Sequence, residues 1–192
     1  NSKMKIISGK HKNRIIPTAK DAQYRPTTAK FREALFSIIT SGKFFNSKTI
    51  ADAQVLDLFA GTGILSFEAL SRGAKNATLI DNNPEHLRLI EKFADKIGEK
   101  NSIYCQLEDA SSLPKSNRQY NIVFMDPPYY NNLCAKALTC LIKNNWLENN
   151  AIIAMEMEKT AKLILEDFPN LHLLKGKVYG NSKLVIARYE QN

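Results

Sequence analysis

From residue 54 onward, short apolar runs alternate with amphipathic stretches, and this alternation restricts the possible folds more than any other feature of the chain. Residues 54–59, 77–81, 102–106, 120–125 and 151–156 have the length and apolar content of buried strands. Helices fit between and after them at 64–72, 84–97, 133–144 and about 160–167. Strands that alternate with helices predict a parallel sheet covered on both faces, because each crossover lays its helix against one face. The end of the chain departs from the pattern. Residues 171–175 and 183–189 are two further strands, separated by a turn-rich segment with Gly176, Gly180 and Asn181 that has no room for a helix. The expected fold is therefore α/β, with a mostly parallel seven-stranded sheet that ends in an antiparallel hairpin.

The first quarter of the chain reads differently. Residues 4–8 and 14–17 are β-prone around Gly9-Lys10-His11-Lys12-Asn13, which predicts a basic hairpin. Arg25-Pro26-Thr27-Thr28 is extended and supplies a threonine cap for a helix over about 27–40. Phe31, Leu35, Ile38 and Ile39 give that helix one packing face, which leaves Lys30 and Arg32 to point elsewhere, and Gly42 marks its end. Residues 1–48 are thus expected as an extension of hairpin and helix, and 49–192 as the main domain.

Of the 27 basic and 19 acidic residues, residues 1–50 hold eleven and two, a net charge of +9. The remainder carries −1. A basic segment beside a nearly neutral domain points to a polyanion, with Lys10, Lys12, Arg14, Arg25, Thr28 and Arg32 as the candidate contacts. No apolar run approaches the ~20 residues that cross a bilayer, and no signal peptide is recognisable at the start. The opening Asn1-Ser2-Lys3 reads as an appended remnant before Met4. Cys105, Cys134 and Cys140 are widely spaced and form no CxxC pair, so neither a disulfide framework nor a zinc site is expected. They read as small core residues of a cytoplasmic protein, and with no apolar helix face free, a monomer is expected.

The first strand breaks into Ala60-Gly61-Thr62-Gly63 and a helix follows at once. Glycines at such a turn let a ligand lie against bare backbone at the carboxyl end of the sheet. The residue three after Gly63 is Ser66, so the dinucleotide fingerprint fails, and no Gly-Lys-Ser/Thr follows for a P-loop. Asp57, two before Phe59, then Ala-Gly-Thr-Gly, is instead the pattern of enzymes that use S-adenosylmethionine. Asp81 ends the second strand twenty residues after Gly61, where a carboxylate can accept from both ribose hydroxyls. Asp109, or its neighbour Glu108, follows the third strand where a side chain can accept from the adenine amine. The expected cofactor-binding set is Asp57, Phe59, Ala60, Gly61, Thr62, Gly63, Asp81, Asn82, Asp109 and Ala110, with Asp57 orienting the methionine end.

The fourth strand ends in Asp126-Pro127-Pro128-Tyr129, the most specific signal in the chain. An exocyclic aromatic amine is a poor nucleophile because its lone pair is delocalised into the ring. It reacts when acceptors hold its hydrogens and its lone pair faces the methyl group. The Asp126 carboxylate and the Pro127 carbonyl are suited to that, Pro127 and Pro128 fix the backbone without competing N–H donors, and Tyr129 offers a ring for the base to stack on. No metal and no general base is required. His11, His86 and His172 are scattered in sequence and read as surface or structural residues.

With these residues in hand, the chain resembles the bacterial 16S ribosomal RNA guanine-N2 methyltransferase D family over nearly its whole length from Met4. The resemblance is carried by the basic hairpin, Arg25-Pro26-Thr27-Thr28 with Arg32-Glu33, Asp57-Leu58-Phe59-Ala60-Gly61-Thr62-Gly63, Leu70-Ser71-Arg72-Gly73-Ala74 and Asp126-Pro127-Pro128-Tyr129. It implies the Rossmann-like class I fold of S-adenosylmethionine-dependent methyltransferases. It also implies methylation at N2 of one guanine of 16S ribosomal RNA, in the small subunit or its assembly intermediate, with S-adenosylhomocysteine as product. Gly9-Lys10-His11-Lys12-Asn13-Arg14 departs from the family's more arginine- and glycine-rich version. Two alternatives remain at this level: a DNA adenine-N6 methyltransferase, which would use the same four-residue motif, and a catalytically silent RNA-binding assembly factor.

Overall fold

The computed structural model describes residues 3–20, 27–128 and 132–192. Seven strands form one sheet: β1 (Gln54–Leu58), β2 (Asn76–Asp81), β3 (Ile103–Leu107), β4 (Tyr120–Met125), β5 (Leu147–Glu158), β6 (Leu171–Tyr179) and β7 (Ser182–Tyr189). Their order is β3-β2-β1-β4-β5-β7-β6. The first five are mutually parallel, and β7 lies antiparallel between β5 and β6. Helices α1 (Ala29–Thr40), α2 (Ile64–Ser71), α3 (Pro84–Lys96) and α4 (Leu133–Lys143) complete the fold. This is the expected doubly covered sheet with its terminal hairpin.

Side chains alternate across a strand, and the core divides accordingly. Val55, Leu79, Phe124 and Ile186 face a cluster built with α1, α2 and α3. Leu56, Leu58, Ile80, Val123 and Met155 face the other side, against α4 and Trp146. The N-terminal segment joins the first cluster through Ile6, Ile16, Phe31, Leu35, Phe36 and Ile39. The Thr28 hydroxyl accepts from the Phe31 amide at 3.1 Å and caps α1 as expected.

Three expectations are corrected. No helix spans 160–167: only a single 3₁₀ turn forms, at Leu165–Asp167. Ala161, Leu163 and Leu165 pack against the second cluster while Ile164 stays 57% exposed, so a period of two that buries alternate side chains prevails over the helical one. Gly176 lies within edge strand β6, and the hairpin turns on Gly180-Asn181 alone, with Tyr179 paired to Ser182. The N-terminal hairpin is narrower than its two β-prone stretches suggested. It has one antiparallel bridge, Lys5 to Ile15, and is otherwise held by bonds such as Ile6 N–H to the Arg14 carbonyl (3.0 Å) and Ile16 N–H to the Met4 carbonyl (2.9 Å).

Candidate active site

Strand β1 has β2 on one side and β4 on the other, so the chain direction of the sheet's winding reverses between β1 and β4. Crevices at such a switch point, beyond the carboxyl ends of the strands, are where open α/β sheets take ligands. Leu58 lies opposite Met125 in the register, which sets the glycine turn beside Asp126-Pro127-Pro128. A cavity of about 500 Å³ fills this crevice. It is within the ~300–1,000 Å³ range of small-molecule sites.

Nine of the ten expected cofactor residues line this cavity: Asp57, Phe59, Ala60, Gly61, Thr62, Asp81, Asn82, Asp109 and Ala110. Gly63 does not. Its φ is +77°, and a Cβ there would stand 3.0 Å from Leu79 and 3.1 Å from both Ile90 and Phe67. Gly63 is needed where the turn enters α2 against the packed core, and it is not a lining residue. Phe59 carries the strain of the turn, since its φ is +58° with a Cβ present. The Ala60 amide donating to the Ile80 carbonyl at 3.1 Å helps hold that conformation.

The acids divide into locked and held groups. The Asp81 Oδ2 accepts the Gly61 amide at 2.8 Å, and Oδ1 accepts the Asn83 amide at 2.9 Å. Asp81 therefore ties the glycine turn to the end of β2 as well as facing the cavity. Asp57 is buried and accepts from the Ser66 hydroxyl at 2.7 Å. Burial pushes its carboxyl up to about 7, the Ser66 bond opposes this, and the nearby charges of Asp126 and Asp81 add to it. Asp109 is exposed and accepts from both the hydroxyl (2.7 Å) and the amide (2.9 Å) of Ser111. Those bonds, with Lys136 nearby, hold it below the ordinary carboxylate range. Glu108 lines the cavity too.

Asp126, Pro127 and Pro128 line the same cavity. The Thr27 hydroxyl donates to Asp126 Oδ2 at 2.9 Å. Tyr129, like Arg25, lies outside the described residues.

Several lining residues escaped the sequence reading. His86 sits in the first turn of α3 with Nδ1 3.2 Å from Asp81 Oδ1, so it is not remote from the motifs. The signal was its place just after the strand-end acid, on the turn that must face back to it. Met4 reaches the cavity from the arm, where its sulfur accepts from the Thr62 hydroxyl at 3.3 Å. Lys136 arrives on the second turn of α4. Nothing in the sequence alone brings Met4 or Thr27 to this place, because the contacts span 58 and 99 residues.

The basic arm is pinned rather than loose. Glu68 of α2, fully buried, accepts the amides of Ile7 (2.8 Å) and Ser8 (3.1 Å) and the Arg72 Nε (2.9 Å). Gly9 passes so close to α2 that a Cβ would meet the Ser71 carbonyl oxygen at 1.9 Å, so only glycine fits there. Lys10 and His11 both reach Glu99. Arg32 contradicts the expectation of a nucleic-acid contact: it is 3% exposed, and its guanidinium donates to the carbonyls of Thr27 and Lys5. Its position one place after Phe31 turns it into the junction of α1 with the arm, a role its charge alone does not reveal. The Thr28 hydroxyl is likewise engaged as a cap. Lys12 and Arg14 are exposed.

The cysteines are free thiols. Burial pushes Cys105 and Cys134 up to about 12, with Glu91 and Asp126 respectively adding to it. Both are poor nucleophiles there; Cys134 is a small core residue as expected, whereas Cys105 and Cys140 are only partly buried. Among the described residues no cluster of His, Cys, Asp and Glu could hold a metal, and no helix is long and apolar enough to cross a membrane.

Comparison with known proteins agrees with this architecture. The family described as conserved hypothetical protein 95 matches residues 4–188. An uncharacterized methylase of Rickettsia prowazekii is 38% identical over 98% of this chain and 99% of its own. Ribosomal RNA small subunit methyltransferase D of Buchnera aphidicola is 37% identical over 90% of this chain and 84% of its own. The solved structure of yhhF, a candidate methyltransferase of Escherichia coli, covers 100% of both chains at 31% identity with a TM-score of 0.83. The chain has the Rossmann-like class I methyltransferase fold and belongs to the family of conserved hypothetical protein 95, the family of the small-subunit ribosomal RNA methyltransferases D.

Proposed function

We propose that the chain transfers the methyl group of S-adenosylmethionine to the exocyclic N2 amine of a guanine in 16S ribosomal RNA of the small subunit, in the cytoplasm. The observation that carries this reading is the register of β1 against β4, which sets the glycine turn beside Asp126-Pro127-Pro128 in one cavity.

The residues present fit the cofactor. The cavity is rich in carboxylates (Asp57, Asp81, Glu108 and Asp109), which suits a cation, although the chain as a whole is basic. Asp81 would accept from the ribose hydroxyls and Asp109 or Glu108 from the adenine amine, and Asp57 would orient the methionine end. The turn at Ala60–Thr62 presents backbone to the ligand. When bound, S-adenosylmethionine supplies an electrophilic methyl group on sulfur. The rest is positioning by the chain. The Asp126 carboxylate and the Pro127 carbonyl accept the two amine hydrogens, so the amine presents its lone pair instead of spreading it into the ring. The proton left on nitrogen after methylation is acidic enough to pass to Asp126 or water.

The substrate class rests on the exposed cations of the arm and on the methyltransferase D relatives. A radiolabelled methyl-transfer assay on small subunits, naked ribosomal RNA and duplex DNA, with nucleoside analysis, tests it. N2-methylguanosine from 16S ribosomal RNA is the expected product. N6-methyladenine in DNA would replace this reading by the DNA alternative. Retained cofactor binding with transfer to none of the three would indicate a silent assembly factor.

A further inference from the structure

We propose that Thr27 is a positioning residue for Asp126, fixing the orientation of its carboxylate toward the amine, and that Arg32 holds Thr27 in register. The inference rests on the reading of Asp126 as the amine acceptor. Thr27 is buried, lines the same cavity, and directs its hydroxyl at Asp126 Oδ2 (2.9 Å).

The two oxygens of a carboxylate are interchangeable by rotation about the Cβ–Cγ bond unless one is engaged. A hydroxyl donating to Oδ2 removes that symmetry and fixes the plane of the carboxylate. The geometry matters because an amine tilted out of line loses its directed lone pair, and misplacement by about 1 Å can cost on the order of 100-fold in rate.

Thr27 is itself fixed from behind. Its carbonyl accepts from Arg32 Nη1 at 3.1 Å, while Arg32 Nη2 donates to the Lys5 carbonyl at 2.9 Å. The planar two-pronged guanidinium thus joins the arm, the segment before α1 and α1 itself. Burial lowers the guanidinium from its ordinary value, and the charges of Glu68 and Glu33 offset part of that. Glu68 also holds the arm at Ile7 and Ser8. One polar network therefore runs from the arm through Arg32 and Thr27 to the carboxylate at the reacting centre.

The test compares Thr27→Val, Thr27→Ser and Asp126→Asn on small subunits as methyl acceptor, with S-adenosylhomocysteine affinity measured by calorimetry. Thr27→Val is expected to lower kcat about 10- to 100-fold, with the subunit KM and the S-adenosylhomocysteine affinity within about threefold of wild type. Thr27→Ser, which restores the hydroxyl, is expected to retain at least about a third of kcat. Should the valine variant not fold, Thr27→Ala takes its place with the same expected loss. A hydroxyl-free variant within threefold of wild-type kcat, beside an inactive Asp126→Asn, would overturn this inference and leave the acceptor reading intact. A serine variant as slow as the hydroxyl-free one would overturn it too. Asp126→Asn turning over at the wild-type rate would instead remove the acceptor reading itself.

Discussion

The switch-point cavity and the N-terminal arm both concentrate charge, yet they use it in opposite ways. In the cavity, Asp81, Glu108 and Asp109 line the crevice, so their carboxylates can meet a ligand even where Asp81 also braces the fold, while Asp57 is buried and bonded to Ser66. In the arm, Arg32 alone among the described cations is buried, between two carbonyls, while the others face outward. Lys10 is exposed but paired with Glu99, so it is less available to a polyanion than Lys12 and Arg14. A segregated net charge identifies a region. Burial and pairing decide which of its residues can touch a polyanion.

The sharpest way to break this comparison is to remove an internal anchor of the arm. Glu68→Ala would leave two amides and the Arg72 side chain without their buried acceptor. Losing one partner of a buried charged network is expected to cost about 3–5 kcal/mol, a fall in Tm of roughly 10 °C for a chain this size. Differential scanning calorimetry measures it, and a change below about 2 °C would show that the arm is not pinned as described.

A smaller effect comes from Asp57 in the cofactor-free protein. Its folded carboxyl titrates at about 7, above its unfolded value. Between roughly pH 4 and 7 the folded chain keeps a proton that the unfolded chain has lost, so stability from this group is full at the acid end and disappears as pH rises. Asp57→Asn removes that dependence. Relative to wild type it should gain on the order of 3 kcal/mol between pH 4 and pH 8, read from denaturant midpoints across that range. Parallel curves for the two proteins would mean that Asp57 is not buried as an isolated acid.

The smallest effect separates the arm's cations from one another. Replacing Lys12 and Arg14 by Ala should lower the slope of log K against log salt for ribosomal RNA by roughly 1.4–1.8, about 0.7–0.9 for each phosphate contact. Lys10→Ala should change the slope less and the Tm more, because Lys10 is engaged by Glu99. Equal slope changes for all three would return the arm to a uniformly available basic surface.

How far the sequence could be read depended on the range of the interactions involved. The strand–helix alternation, the glycine turn and Asp126-Pro127-Pro128 were legible because each rests on local periodicity or on a motif within one strand-to-helix turn. The Thr28 cap was legible for the same reason, its bond spanning three residues. Gly63 was misassigned because a glycine needed for packing and one needed for a ligand look alike in a turn. Arg32 was misassigned because its partners, Lys5 and Thr27, are fixed only by tertiary packing. Met4, Thr27 and Lys136 joined the cavity by long-range contacts that no local pattern encodes. The segment 160–167 shows a different failure, in which good local helix formers such as Ala161, Leu163, Leu165 and Glu166 were overridden by the packing of Ala161, Leu163 and Leu165 on an existing apolar face.

The most direct test of the account uses Asp126→Ala, with methyl transfer to small subunits and S-adenosylhomocysteine binding measured on the same preparation. Removal of a preorganised partner at the reacting group is expected to lower turnover by about 10³-fold, while cofactor affinity stays within about twofold because the residues proposed to hold the cofactor lie on β1, β2 and the loop after β3. Turnover near the wild-type rate would contradict the central claim that Asp126 holds the amine.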